Sequence, residues 1–289
     1  MRKGKVAKHG NDGMDHTAPT PALFTEKRFS ELSVFLPENL LREARRQKNL
    51  PVEPVPEICV LDPDGDLQSH LRSTGRATKC QGWACYHTEL DVFDEGGTSF
   101  GVVGRAVGAS FAVLVAEQLF ASGCRLLISV TSAGQIAATG PTNYFVLIDQ
   151  ALRDEGTSYH YLPPSDLSEA DKALADGAFA CLSDLPITVL RGLVWTTDAP
   201  YRETEFAIEQ ARAAGALAVE MEAAALYAFA KALARPVLCF AHVTNRMAQT
   251  EGDFEKGEDD GSVDALAVIA ATARAWRALP IRNKELDHA

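Results

Sequence analysis

From residue 100 onward the chain alternates compact apolar runs with longer stretches in which apolar side chains recur every three or four positions. The runs "CRLLISV", "YFVLIDQAL", "ITVLRGLVWTTDA" and "PVLCFAHVTN" are apolar at nearly every position, as expected of strands buried on both faces. Between them "ETEFAIEQARAAG", "MEAAALYAFAKALA" and "SVDALAVIAATARAWRAL" carry the helical period. "FGVVGRAVGASFAVLVAEQLFASG" reads as a strand, a Gly-rich turn and a helix ending at Gly123. "SDLSEADKALADGAFACLSDL" reads as a helix opened by a capping box, with Ser168 at its start and Asp171 three residues later. Buried strands separated by helices predict an α/β fold: a single domain with a central mixed, mostly parallel sheet flanked by helices.

Upstream the pattern weakens. Residues 1 to about 30 mix Gly, Pro, Asn, Asp and Thr without periodicity, the composition of a mobile arm. "LPENLLREARRQKNL" predicts one short basic helix, with Pro37 in its first turn and Pro51 past its end. A short strand from Ile58 to Leu61 follows, then a turn around Asp64-Gly65 in "LDPDGD". The expected division is an N-terminal extension over 1–54, a catalytic domain over 55–280 and a tail over 281–289.

Composition narrows the function. A formal charge of -11 argues against a nucleic-acid partner, because phosphate-backbone binding needs concentrated Lys and Arg. A small anionic substrate would need a local basic pocket. Six cysteines (Cys59, Cys80, Cys85, Cys124, Cys181, Cys239) show no metal-ligand spacing and are expected to be reduced, so no metal is expected. The basic N-terminus lacks an apolar segment behind it, and no stretch reads as a membrane span, so the expectation is a cytoplasmic protein with no membrane partner.

Four strand exits carry unusual residues: "VTSAGQ", "TTDAPYRET", "VEME" and "TNRMAQTEGD". Ligand sites of open α/β sheets form at such exits. In "AVEMEAAALYAFA" Glu220 and Glu222 are the only charges between Arg212 and Lys231. A buried carboxylate without partners costs several kcal/mol. A salt bridge to a buried Arg or a place at a helix start would remove that cost, and so would a ligand diol donating two hydrogen bonds. "TSAGQI" offers hydroxyls and backbone N–H groups to an oxyanion, although small residues after a strand also make ordinary turns.

Together and in this order, from about residue 57 to 278, these segments resemble the nucleoside phosphorylase superfamily, which holds uridine phosphorylase, the hexameric purine nucleoside phosphorylases and methylthioadenosine nucleosidase. "VEMEAAALY" resembles the family's ribose-gripping Glu-Met-Glu. The resemblance implies that Glu222 holds the 2′- and 3′-hydroxyls, Met221 packs on the sugar and Glu220 assists. "VTSAG" is similar to the family's phosphate loop, which makes Thr131, Ser132 and Gly134 phosphate-binding candidates. "TTDAPYRET" matches the segment that borders the base, making Thr197, Tyr201 and Arg202 candidates. The pair Asn245-Arg246 resembles uridine phosphorylase, and Arg246 would stabilise negative charge on a leaving pyrimidine-like base.

Two departures stand beside this likeness. Where the family places a phosphate Arg two residues after Asp-Pro this chain has Gly65, and where a second Arg precedes the phosphate-loop hydroxyl it has Ser129. Arg105 in "VVGRAVG" is a replacement candidate. The implied activity is phosphorolysis of a uridine-like nucleoside to free base and ribose 1-phosphate. Inorganic phosphate would be a co-substrate, with no cofactor, in a homo-oligomer (dimer or hexamer). The alternatives are a nucleosidase using water and a non-catalytic nucleoside-binding protein.

Overall fold

A computed structural model of the chain describes residues 21–247 and 251–279. The expected tail over 281–289 and most of the expected arm lie outside the described residues. In chain order the elements are α1 (Pro37–Lys48), β1 (Ile58–Asp62), α2 (Asp66–Ser73), β2 (Thr78–Lys79), β3 (Asp91–Glu95), β4 (Thr98–Gly104), α3 (Ala109–Ala121) and β5 (Leu126–Gln135). Then come β6 (Tyr144–Asp154), β7 (Leu167–Glu169), α4 (Lys172–Leu182), β8 (Val189–Thr197), α5 (Glu205–Ala213), β9 (Ala218–Glu220), α6 (Ala223–Ala232), β10 (Val237–Asn245) and α7 (Ser262–Ala278).

The strands form one mixed sheet in the order β10-β6-β8-β9-β5-β1-β4-β3-β2, with β7 beside β6. Its two longest ladders, β5 with β10 and β6 with β8, are parallel. β10 pairs with both β6 and β5, so β5, β10, β6, β8 and β9 close a ring. Alternation along β1 divides the core. Cys59 and Leu61 face α3 and α6, whereas Ile58 and Val60 face α2, α4 and α7. Helices on both faces explain why these strands are apolar throughout. The basic helix α1 has Pro37 in its first turn and ends at Asn49 in the left-handed conformation; its Leu41 and Ala44 are buried against Ala84.

The structure corrects three local expectations. Ser168 lies in β7, and α4 begins later, with Asp171 as its N-cap accepting from the Leu174 N–H at 2.9 Å. The side-chain cap is therefore one residue, not a box. "VTSAG" is not a loop after a strand ending at Val130, because β5 runs on to Gln135. Along one edge β10 pairs as far as Gly134; along the other β1 stops at Ser129 and β9 begins at Gly134, which leaves residues 130–133 without a strand partner on that edge among the described residues. Helix α2 and the β3–β4 hairpin also stand where the pattern showed only a turn and one strand.

Candidate active site

Strand β9 ends in Glu220 and α6 starts at Ala223, so two residues turn the chain from sheet to helix. The first N–H groups of α6 have no partner within the helix. Glu220 supplies one: its Oε2 accepts from the N–H groups of Glu222 and Ala223, both at 2.8 Å. Its Oε1 accepts from the Thr196 hydroxyl, whose oxygen in turn accepts from the Ala224 N–H at 3.0 Å. Glu220 is thus accounted for by the fold itself. It is a buried carboxylate that caps a helix and ties it to the end of β8.

Glu222 is different. It is 1% exposed, and its Oε1 accepts from the Gly108 N–H at 2.6 Å, where α3 begins. Its Oε2 is buried and has no hydrogen-bond partner among the described residues. The charges that bear on it, Glu220 and Asp64, are both negative. Burial raises the Glu222 carboxyl to about 8 and the charge on Glu220 adds to this, while the Gly108 N–H and the nearby Thr131 hydroxyl pull it down. Burial likewise raises Glu220 to about 7, against the pull of its hydroxyl and N–H donors. An open carboxyl oxygen costs about 1–3 kcal/mol when nothing bonds it. A pair of ligand hydroxyls would remove that cost. Met221, between the two acids, is partly exposed.

Beside this carboxyl lies the expected anion loop. The Ser132 N–H and Oγ–H both donate to one carboxylate, that of Asp64, at 2.7 and 2.9 Å. The register explains the meeting: Leu61 of β1 pairs with Ser129 of β5, and three residues beyond each stand Asp64 and Ser132. Asp62 turns the chain between them, accepting from the N–H groups of Gly65 at 3.1 Å and Gln68 at 2.9 Å to start α2. Burial raises its carboxyl to about 7. Gly65, at the position of the missing Arg, has φ of 84°, and a Cβ there would lie 2.7 Å from the Arg105 Cγ. The Arg105 side chain therefore lies over the place a side chain at 65 would occupy. Lys256 pairs with Asp66 and also feels the charge of Asp64. Ser129, at the second missing Arg, is buried, and its hydroxyl has no hydrogen-bond partner among the described residues.

The residues expected to border the base are more dispersed. Asn245 is buried, pairs in register with Gly134 and accepts from the Met247 N–H at 2.9 Å. What approaches Gly134 closely is the Met247 sulfur, 2.7 Å from where a Cβ would stand. Thr197 is buried at the end of β8, whereas Tyr201 and Arg202 are exposed on the turn that follows, Tyr201 fully so. Arg246 is exposed; its backbone N–H donates to Asp253 at 3.0 Å, and its guanidinium donates to the Gly140 carbonyl at 3.5 Å.

Sequence reasoning missed Asp64, Thr196 and Gly108. Asp64 looked like a turn residue, and the other two are joined to the acids only by the meeting of distant strands and helices. An open cleft of about 560 Å³ lined by Glu57, Lys79, Ser99 and Arg277 lies elsewhere, at the N-terminal ends of β1 and β4. The acids gather instead at the C-terminal ends of the parallel strands, where open α/β sheets bind ligands. Among the described residues no helix is long and apolar enough to cross a membrane.

The family model described as phosphorylase superfamily matches residues 57–280. Among solved structures, the chain is similar to uridine phosphorylase from Vibrio fischeri ES114, with 17% identity, a TM-score of 0.64, and coverage of 79% of this chain and 94% of that one. It is also similar to the same enzyme complexed with 6-hydroxy-1-naphthoic acid, with 17% identity, a TM-score of 0.62, and coverage of 79% and 91%. Among curated proteins none matches the chain at a significant level.

Proposed function

The chain belongs to the phosphorylase superfamily, and from that premise we propose that it cleaves the N-glycosidic bond of a ribonucleoside of the pyrimidine, uridine-like kind. The observation that carries this reading is the buried Oε2 of Glu222, which has no hydrogen-bond partner among the described residues. An oxygen so placed suits a ribose diol, and the sugar is held where charge develops in the reaction. As the acceptor oxygen bonds to C1′, the C1′–N bond breaks and its electron pair leaves with the base. Solvent then reprotonates the base. Glu222 stabilises the cation-like sugar, Glu220 holds the Glu222 backbone in place, and Arg246 serves the departing base once a ligand draws it in. Met221 lies beside the sugar, with Thr197, Tyr201, Arg202 and Asn245 toward the base. The reaction needs no metal, nucleotide cofactor or covalent enzyme intermediate. The catalytic unit is residues 55–280, acting in a homo-oligomer.

Phosphate is the acceptor that the family relationship supports, with Thr131, Ser132, Gly134 and Arg105 around it. Water is a second reading, and the one that this chain's own residues favour over phosphate, because both Ser132 donors are already taken by Asp64. A panel of nucleosides assayed for base release with and without inorganic phosphate tests both. Release from uridine-like substrates supports the reading. No release from any nucleoside under either condition, with ligand-induced stabilisation alone, would leave only a binding protein.

A further inference from the structure

We propose that Asp64 is the acceptor-selecting residue of this site: it occupies the seat an incoming phosphate would take and keeps inorganic phosphate out. The proposal deepens the reading of the site as a glycosidic-bond-cleaving centre and rests on it. Three observations converge. First, the Asp64 carboxylate is bound as an oxyanion would be, by a backbone N–H at 2.7 Å and a hydroxyl at 2.9 Å from the same residue, Ser132. A phosphate entering there must take those donors away and then sit against a like charge. Second, both positions expected to carry phosphate arginines, Gly65 and Ser129, are uncharged. Third, the charge of Asp64 bears on Glu222, and Thr131, the residue before Ser132, acts on the same carboxyl through its hydroxyl, so the Asp64–Ser132 pair and Glu222 belong to one site.

Cations nevertheless remain. Arg105 lies over Gly65, and Lys256 feels the charge of Asp64 as well as that of Asp66. The seat therefore has the makings of an anion site once the internal carboxylate is gone. Asp64 is exposed and outside the core, so its replacement leaves the hydrophobic packing untouched. With Asp64 present, water is the favoured acceptor. Without it, phosphate can enter, and its oxygen bonds C1′ while the base leaves with the bond pair.

Calorimetric titration of inorganic phosphate into the full chain tests the exclusion without any turnover. The parent is expected to show no binding in the millimolar range, and Asp64→Ser to bind at least about tenfold more tightly. Asp64→Asn, which keeps an acceptor for Ser132 but loses the charge, is expected to fall between them. Product analysis then reads the acceptor: free ribose from the parent, and ribose 1-phosphate from Asp64→Ser in phosphate buffer. Tight phosphate binding by the parent, or equal weak binding by all three folded proteins, would overturn the proposal. Failure to cleave any nucleoside, with the binding difference intact, would instead fault the reaction assigned to the site.

Discussion

The two acids at the start of α6 are two residues apart and equally buried, yet the structure treats them in opposite ways. Every oxygen of Glu220 has a partner inside the fold: two N–H groups and a hydroxyl. Glu222 has one N–H on one oxygen, and its other oxygen has no hydrogen-bond partner among the described residues, although the Thr131 hydroxyl lies near the carboxyl. The first is a structural cap and the second an unfinished site. Burial alone therefore does not identify a functional carboxylate; the distinction lies in which hydrogen bonds the protein leaves open. Across the site the same logic is inverted. At Ser132 the donors are what a ligand would seek, and the chain has filled them with its own Asp64.

The largest effects should come from truncating each acid separately. Glu222→Ala removes a group that acts on the reacting sugar and should cost on the order of 3 kcal/mol of barrier, at least a hundredfold in rate. Glu222→Gln should lose rate similarly while keeping stability within about 1 kcal/mol of the parent. Glu220→Ala strips the cap from α6 and orphans the Thr196 hydroxyl and two N–H groups. It should cost about 1–3 kcal/mol of stability in denaturant unfolding. If Glu220→Ala were as stable as the parent and Glu222→Gln unfolded, the two roles would have been assigned the wrong way round.

Much of this contrast was legible in the residues, and part of it was not. A carboxylate pair in an otherwise apolar run at a strand-to-helix junction marked the place, and the β9–α6 junction stands where the pattern put it. Which acid caps the helix depends on where Thr196 and Gly108 arrive, and those come from other parts of the ring. Asp64 is the sharper case. A turn at Asp64-Gly65 could be read directly, but its position opposite Ser132 follows from the parallel register of β1 and β5. No local pattern encodes register between strands that are more than sixty residues apart. The same limit applies to "VTSAG": its small residues look like a turn, and pairing with β10 along the whole segment overrides the local signal. At the base end the order of the motif survives, but Tyr201 and Arg202 remain on the surface of the single chain.

Next in size is the pH dependence. Asp62, Glu220 and Glu222 have folded-state values raised to about 7, about 7 and about 8. Between their ordinary range near 4 and these values the native state holds protons that the unfolded chain has lost. Stability contributed by these groups is full at low pH and falls as pH rises through the raised values. His242 acts in the other direction: burial, with help from Lys256, lowers it to about 4, so its contribution grows with pH up to about 6.5 and then levels off. The window from about 6.5 to about 8 therefore belongs to the carboxyls. Melting temperature should fall across it, and the fall should be shallower in Glu222→Gln. A rise across this window would contradict the burial assigned to the acids.

The smallest effect sharpens the acceptor side. Gly65 sits at φ of 84°, and a Cβ there would press on the Arg105 Cγ at 2.7 Å. Gly65→Ala should cost about 1–2 kcal/mol of stability, because an L-residue is strained in the left-handed region. It should also push the Arg105 side chain aside. If that side chain replaces the charge missing at position 65, then in the Asp64→Ser background both Gly65→Ala and Arg105→Ala should weaken phosphate binding, each by about tenfold. Should Gly65→Ala weaken it and Arg105→Ala not, the loss would come from the distorted turn, and Lys256 would remain as the cation serving the opened seat. The pair thus separates charge from backbone geometry at the end of the site where the protein has placed an acid against an acid.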